Sequence, residues 1–354
     1  MKRIKLWSVL LLILCSLGVY AQNFCLTPSN IPEFLQTVLK NRYVETRSND
    51  TYVVRIFFHI IRQSNGTGGQ ITSEVNTAFD ILKADYQPHG ICFELLGIDE
   101  IHDDNTYNRT NFSPNTNGDG KFANFSPNSH PNAIDIYLFA NDKLHSGMAA
   151  GIPASALAIG GNAYSINLVT SHVLSHEMVH CLGLYHTFHG LCESGCAELV
   201  NGSNCTSCGD FVCDTPPDPQ AHQVDQNICV WNGSTCGISN KDANGDSYNP
   251  NTSLIMAYIS PNCMQYHTSG QFDRMRAMIA NSSILQNVIV PKNLILSGTI
   301  NGTNVYQATQ KIISNQVINS GSTIYKAAEV ELDNDFEVKL GAEFEIIIDD
   351  NGCP

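Results

Sequence analysis

His176-Glu177-Met178-Val179-His180-Cys181-Leu182-Gly183-Leu184-Tyr185-His186 carries three histidines and a glutamate at spacings that suit a catalytic zinc ion. His176 and His180 are four apart, so on a helix both imidazoles leave one face, a turn apart. Glu177, beside the first, can reach a water in the metal's open position. The helix must then stop for His186 to swing back as third ligand. Gly183 permits this, because a residue without Cβ enters the left-handed conformation at little steric cost. Three imidazoles leave one position for water, the mark of a catalytic rather than a structural zinc. Incidental histidines on a helix would explain two ligands and a glutamate, but not the added Gly183 and His186.

The extended pattern H-E-x-x-H-x-x-G-x-x-H resembles that of the metzincin metallopeptidases, whose zinc sits above a methionine turn. Ser253-Leu254-Ile255-Met256-Ala257-Tyr258 stands about 70 residues past the last histidine, a distance typical of this resemblance. Within that clan the chain is similar to the pappalysin family. Gly183-Leu184-Tyr185-His186-Thr187-Phe188 resembles the family's GLYHTF segment, and Gly209-Asp210-Phe211-Val212-Cys213-Asp214-Thr215-Pro216 its GD-x-V-x-DTP loop. Gly270-Gln271-Phe272-Asp273-Arg274-Met275 resembles its GQ-x-x-RM helix. The resemblance implies an α+β fold: a metzincin-type zinc peptidase domain, with a twisted sheet over a catalytic helix and a disulfide-rich lower half. It implies His176, His180 and His186 as zinc ligands, Glu177 as general base, Met256 as an apolar floor and Tyr258 as a donor to the developing oxyanion. Two positions depart from the family. Ser253-Leu254 stands where asparagine is common, and no acidic residue lies between Met256 and Cys263, where some relatives recognise basic side chains.

Residues 1–21 read as a secretory signal peptide. Lys2, Arg3 and Lys5 precede an apolar run from Leu6 to Val19, and Val19-Tyr20-Ala21 offers a cleavage site. The run falls short of the ~20 residues a spanning helix needs, so the mature chain is read as having no membrane span. Of thirteen cysteines, Cys15 leaves with the signal, and eight cluster from Cys192 to Cys263. In an exported chain such a cluster reads as disulfide bracing with pairings left open, and a second zinc site at Cys205-x-x-Cys208 is the alternative. Cys181 reads as a small buried hydrophobe. The formal charge of −14 argues against nucleic acid, which needs a basic patch to displace counterions.

The domain reading gives signal peptide 1–21, a short leader or propeptide 22–50, a catalytic domain 51–288 and a small all-β C-terminal module 289–354. Val53 to Ile61 reads as a buried strand and Ser73 to Tyr86 as a helix capped by Thr72 or Ser73. Ile91 to Gly97 and Ala133 to Phe139 read as strands, Asp103 to His130 as a long surface loop, Val169 to Leu182 as the catalytic helix. A closing helix spans about Gly270 to Ala280. From Pro291, short β-branched runs punctuated by Gly298, Gly302, Gly321 and Gly341 suggest a stacked or solenoid-like module.

Asp210, Asp214 and Thr215 offer oxygens on a tight loop and read as calcium ligands, against the alternative of a polar turn. Cys25, in the leader, has two readings: a thiolate fourth ligand that keeps the enzyme latent, or a disulfide with Cys92 or Cys353. The whole chain reads as a secreted, extracellular zinc endopeptidase acting on protein or peptide substrates. Cell-surface association is open, and the rival function is an adhesion or binding protein whose zinc domain is inactive and whose β module does the work.

Overall fold

A computed structural model describes residues 25, 27, 51–108, 120–140, 146–163, 166–219, 229–233, 235–349 and 353. The segments read as signal peptide and leader lie outside these residues, apart from Cys25 and Thr27. Strand β1 (Tyr52–Arg62) carries apolar or β-branched side chains at most positions and is buried along most of its length, as a strand covered on both faces requires. It pairs in parallel with β2 (Ile91–His102) and β3 (Ile134–Leu138). Beyond β3 come β5 (Ala156–Ile159), parallel, and β4 (Gly147–Ala149), antiparallel, so the order is β2-β1-β3-β5-β4 with β4 at an edge. Neither β4 nor β5 shows a strand pattern in the sequence. At three and four residues of mostly Ala, Gly and Leu they are too short for alternation to register.

Helix α1 (Thr72–Tyr86) turns Val75, Ala78, Leu82 and Tyr86 inward. Its N-cap is Ile71, not Thr72 or Ser73, and the Glu74 carboxylate accepts from the Ile71 N–H at 2.8 Å in place of a hydroxyl cap. Tyr86 then donates to the Ser175 carbonyl at 2.7 Å. That bond ties α1 to α2 (Val173–Cys181), every residue of which is buried. Helix α2 is shorter than the apolar run suggests. The Ser171 hydroxyl donates to the Leu168 carbonyl at 2.7 Å and holds residues 168–171 in a turn, a competition with helix that serine commonly wins near N-termini.

The 103–130 stretch is only partly a surface loop. Asp103 caps a short helix, accepting from Asn105 and Thr106, and Phe122 and Phe125 are buried against Tyr137. Helices α3 (Ser269–Asn281) and α4 (Ser283–Val288) close the domain.

From 293 to 348 nine short strands form three parallel three-stranded sheets, each coil placing one strand in each sheet. The register of Asn293, Lys311 and Glu329 shows a repeat of 18 residues. Ile312, Tyr325, Ala308 and Ala327 fill the interior. Five disulfides brace the described chain: Cys92–Cys353, Cys192–Cys236, Cys196–Cys208, Cys205–Cys213 and Cys229–Cys263. Cys205 and Cys208 thus sit in separate bridges, which removes the second zinc site considered at that pair. Among the described residues no helix is long and apolar enough to cross a membrane.

Candidate metal centre and active site

Helix α2 presents His176 and His180 on one face, and the chain turns back immediately after it. Gly183 has φ +98°, and a Cβ there would meet the Met278 side chain at 2.4 Å, so the reversal and the close approach both require glycine. The reversal carries His186 back to the other two. His176 Nε2 lies 3.3 Å and His180 Nε2 3.1 Å from His186 Nε2.

The opposite nitrogen of each ring faces an acceptor. His176 Nδ1 lies 2.6 Å from the Ile255 carbonyl, His180 Nδ1 2.8 Å from the Leu184 carbonyl and His186 Nδ1 2.8 Å from Glu193 Oε1. A neutral imidazole has one N–H, and these acceptors claim it at Nδ1, which leaves three Nε2 lone pairs aimed at a single point. Burial, with the neighbouring His186, pushes His176 down to about 3, and burial likewise holds His180 well below the usual histidine range. His176 and His180 are therefore neutral at neutral pH. Neutral lone pairs this close repel one another unless a cation sits between them, and tetrahedral zinc bonds of about 2.0–2.1 Å place nitrogens roughly 3.3 Å apart. The three residues fit zinc.

Glu193 escaped the sequence reading. Its carboxylate bridges His186 and His189, the latter at 3.1 Å. Burial alone would raise it, but the charges and hydrogen bonds of both histidines outweigh this and hold it well below the usual range. An acid seven residues past a ligand has no motif value, so nothing in the sequence marked it. His172 is turned to Asp85 at 2.8 Å, away from the cluster.

Residues 254–257 form a tight turn, Ala257 N–H donating to the Leu254 carbonyl at 3.1 Å, with Met256 wholly buried at its corner. The same turn supplies the Ile255 carbonyl that orients His176. Tyr258 packs its ring edge-on to His186 with centroids 4.9 Å apart.

Glu177 is fully buried. Gly147 of β4 lies so close that a Cβ there would stand 2.6 Å from its carboxylate, so glycine is required at that point of the edge strand. Burial pushes Glu177 up to about 8, partly offset by hydrogen bonds from Thr27, Cys25 and the Ala149 amide.

Cys25 and Thr27 occupy the cleft above. Cys25 pairs in parallel with Gly147 on the open edge of β4. Its N–H donates to the Tyr258 hydroxyl at 3.1 Å, and that hydroxyl donates to the Cys25 carbonyl at 2.7 Å. Its Sγ lies 3.5 Å from Glu177 Oε2 and forms no disulfide. Cys92 and Cys353, the partners considered for it, are joined to each other. The Sγ and the three Nε2 atoms form one group of ligand atoms all within 4.8 Å of one another. Thr27 completes the contact, donating to Glu177 Oε2 at 3.1 Å and accepting from Ala149 N–H at 2.8 Å.

The loop read as calcium-binding is only partly assembled. The Asp210 carboxylate accepts from the Thr215 hydroxyl at 2.9 Å and from the Val212 amide at 2.9 Å. Asp214 is directed elsewhere: it accepts from Thr268 Oγ1 at 2.6 Å and Gly270 N–H at 2.8 Å at the start of α3. Glu198, not singled out in the sequence, is buried near Asp210. Burial raises both carboxyls, and their mutual repulsion adds to it for Glu198, to about 8 for Glu198 and about 7 for Asp210.

Residues 148–280 match the peptidase M43 family model, described as pregnancy-associated plasma protein-A. Over these residues the chain is similar to the pappalysin family, and its matches are those of a zinc metalloendopeptidase. An extracellular metalloprotease of Sordaria macrospora is 27% identical over 255 residues, covering 65% of this chain and 77% of that protein. One from Colletotrichum graminicola is 26% identical over 275 residues, covering 73% and 90%. Among solved structures, Tannerella forsythia promirolysin aligns with a TM-score of 0.44 at 14% identity, over 72% of this chain and 90% of that one.

The second nitrogen of His186 depends on Glu193, so Glu193→Gln should weaken zinc affinity about 10–100-fold while leaving the stoichiometry at saturation intact. Competition against a chelator of known affinity measures this, and an unchanged affinity would mean that Glu193 does not orient His186.

Proposed function

We propose that this chain is a secreted endopeptidase, active outside the cell on protein or peptide substrates, with zinc held by His176, His180 and His186 and with Glu177 as general base. The observation that carries the reading is the convergence of three Nε2 lone pairs beside the one buried carboxylate of α2. Zinc at that point would lower the pKa of a water and polarise the scissile carbonyl. Glu177, one residue along the helix from His176, takes the water's proton and passes it to the leaving amine. The Tyr258 hydroxyl donates to the oxyanion that develops on the former carbonyl. The edge of β4 offers unpaired backbone groups along which an extended peptide can lie, as the leader does at Cys25. The twenty-one-residue signal, the disulfides and the extracellular relatives support export. An intact Glu177 and a complete ligand set disfavour the adhesion reading with an inactive zinc domain.

His180→Ala should lose stoichiometric zinc, whereas Glu177→Ala should keep zinc and lose nearly all cleavage of a casein-like substrate. Zinc lost equally from both variants would contradict the division of roles.

The same reading assigns Cys25 as a latency switch. Its thiol occupies the side from which water would reach the metal, and its backbone engages the Tyr258 hydroxyl. A cation lowers a thiol's pKa and favours the thiolate as ligand, opposing the upward push that burial and Glu177 give Cys25. Cleavage after Cys25, in the polar 45–51 segment, would release it. The precursor carrying Cys25→Ala should cleave substrate without processing, while the wild-type precursor should not. Equal latency in the two would show that the leader blocks the cleft without the thiol.

Calcium, in this reading, sits at Asp210 with Thr215 and Glu198, where burial raises two neighbouring carboxyls. Carboxyls raised in the folded state make stability fall as pH climbs from about 4.5 towards 8, and a bound cation removes that loss. Added calcium should raise the melting temperature, and Asp210→Ala should abolish the response. Asp214→Ala should cost about 0.5–2 kcal/mol as a lost helix cap yet keep it. A wild-type melt indifferent to calcium would remove the site.

A further inference from the structure

We propose a second zinc site, formed by His59, His130 and Asp135 on the outer face of the sheet and separate from the catalytic centre. His59 interrupts the apolar run of β1, and its side chain is wholly buried. Alternation along the strand turns it away from Phe58 and Ile60. Register sets it between its strand neighbours, opposite Asp99 on β2 and Tyr137 on β3. Asp135, two residues before Tyr137, shares that face.

Both nitrogens of His59 meet carboxylates. Nδ1 lies 2.6 Å from Asp99 Oδ1 and Nε2 3.2 Å from Asp135 Oδ1. A neutral imidazole has a single N–H, and the shorter contact places it at Nδ1. The Nε2 lone pair then faces a carboxylate oxygen inside the protein, an arrangement that demands a positive occupant between them. His130 Nδ1 reaches the same Asp135 oxygen at 2.7 Å, and the backbone amide of His130 fixes the other oxygen at 2.9 Å.

Two imidazole nitrogens and a carboxylate oxygen thus converge, all within 4.8 Å of one another. That donor set suits zinc, and the Asp99–His59 contact is the carboxylate–histidine pair that commonly orients a metal-bound ring. Tetrahedral zinc asks for ligand edges of roughly 3.3 Å. The 3.2 Å edge is already there, and the 2.7 Å edge opens by a small rotation of His130. That ring is 31% exposed, so it can move, and its open side gives the ion a route in and leaves room for a water as fourth ligand. Stacking of Phe57 on His130, with centroids 3.9 Å apart, and of Tyr137 on His59, at 4.6 Å, walls the remaining sides. The ion would pin β2, β1 and β3 together across the face that carries no helix α2. A proton on His59 is the competing occupant.

The test is zinc content of the mature chain, stripped of metal, reloaded with zinc alone and freed of excess. Wild type should hold two ions per chain, His130→Ala one, Asp135→Asn one and His180→Ala one. Zinc should also raise the melting temperature of His180→Ala, and His130→Ala combined with it should remove that rise. One ion in wild type with none in His180→Ala would overturn the second site and leave the catalytic assignment standing. One ion in wild type with none in His130→Ala would do the reverse. Two ions retained by His130→Ala and Asp135→Asn would also overturn the proposal, since the extra ion would then lie elsewhere.

Discussion

Three imidazoles crowd their Nε2 atoms into one buried point, and most of the peptidase domain exists to keep them there. Left alone the arrangement is repulsive. It persists because each ring is gripped from behind by an acceptor that fixes its tautomer, and because α2 is buried on every side. The grips come from distant parts of the chain: a carbonyl of the 254–257 turn, a carbonyl just past α2 and the Glu193 carboxylate. Moving any one of them would free a ring to rotate and weaken the site's affinity for a cation.

The same constraint explains where the domain spends its glycines. Gly183 reverses the chain under Met278, and Gly147 lets the edge strand pass against the Glu177 carboxylate. A side chain at either position would push apart the groups that must meet. The Cys192–Cys236 and Cys229–Cys263 bridges brace the loops around the ligand rings, where regular secondary structure is sparse and hydrophobic burial alone would hold little. Cys25 and Thr27 exploit the finished cleft: Cys25 pairs with the edge of β4 and engages the Tyr258 hydroxyl, and both meet the Glu177 carboxylate.

The cluster of three histidines with Glu177 beside it was legible in the sequence because it is local. His176, Glu177 and His180 lie within two turns of one helix, and Gly183 and His186 follow at a distance set by a single chain reversal. An unbroken apolar run likewise marked β1 and helical spacing marked α1, while α3 showed through its resemblance to the family's GQ-x-x-RM segment. The strand runs after Pro291 were visible through their regular spacing, though the two-residue strands at 299–300 and 317–318 were too short to see. Where burial overrode local chemistry the reading slipped: Phe122 and Phe125 fold into the core from a stretch whose composition says loop.

What the tertiary structure alone decided is everything that depends on partners far apart in the chain. Glu193 behind His186, Asp85 drawing off His172 and Asp214 capping α3 instead of joining Asp210 have no spacing rule, because an acid finds its partner by the path of the fold. Cysteine pairing is of the same kind. Cys25 was open to a disulfide or to the active site, and only the meeting of Cys92 with Cys353 leaves its thiol beside Glu177. His59 looked like one polar residue in an apolar strand until β2 and β3 set a carboxylate on each side of it. The sequence by itself determined the chemistry of α2, since a helix and one glycine suffice to gather its ligands; the surrounding charges took their roles from the folded sheet and loops.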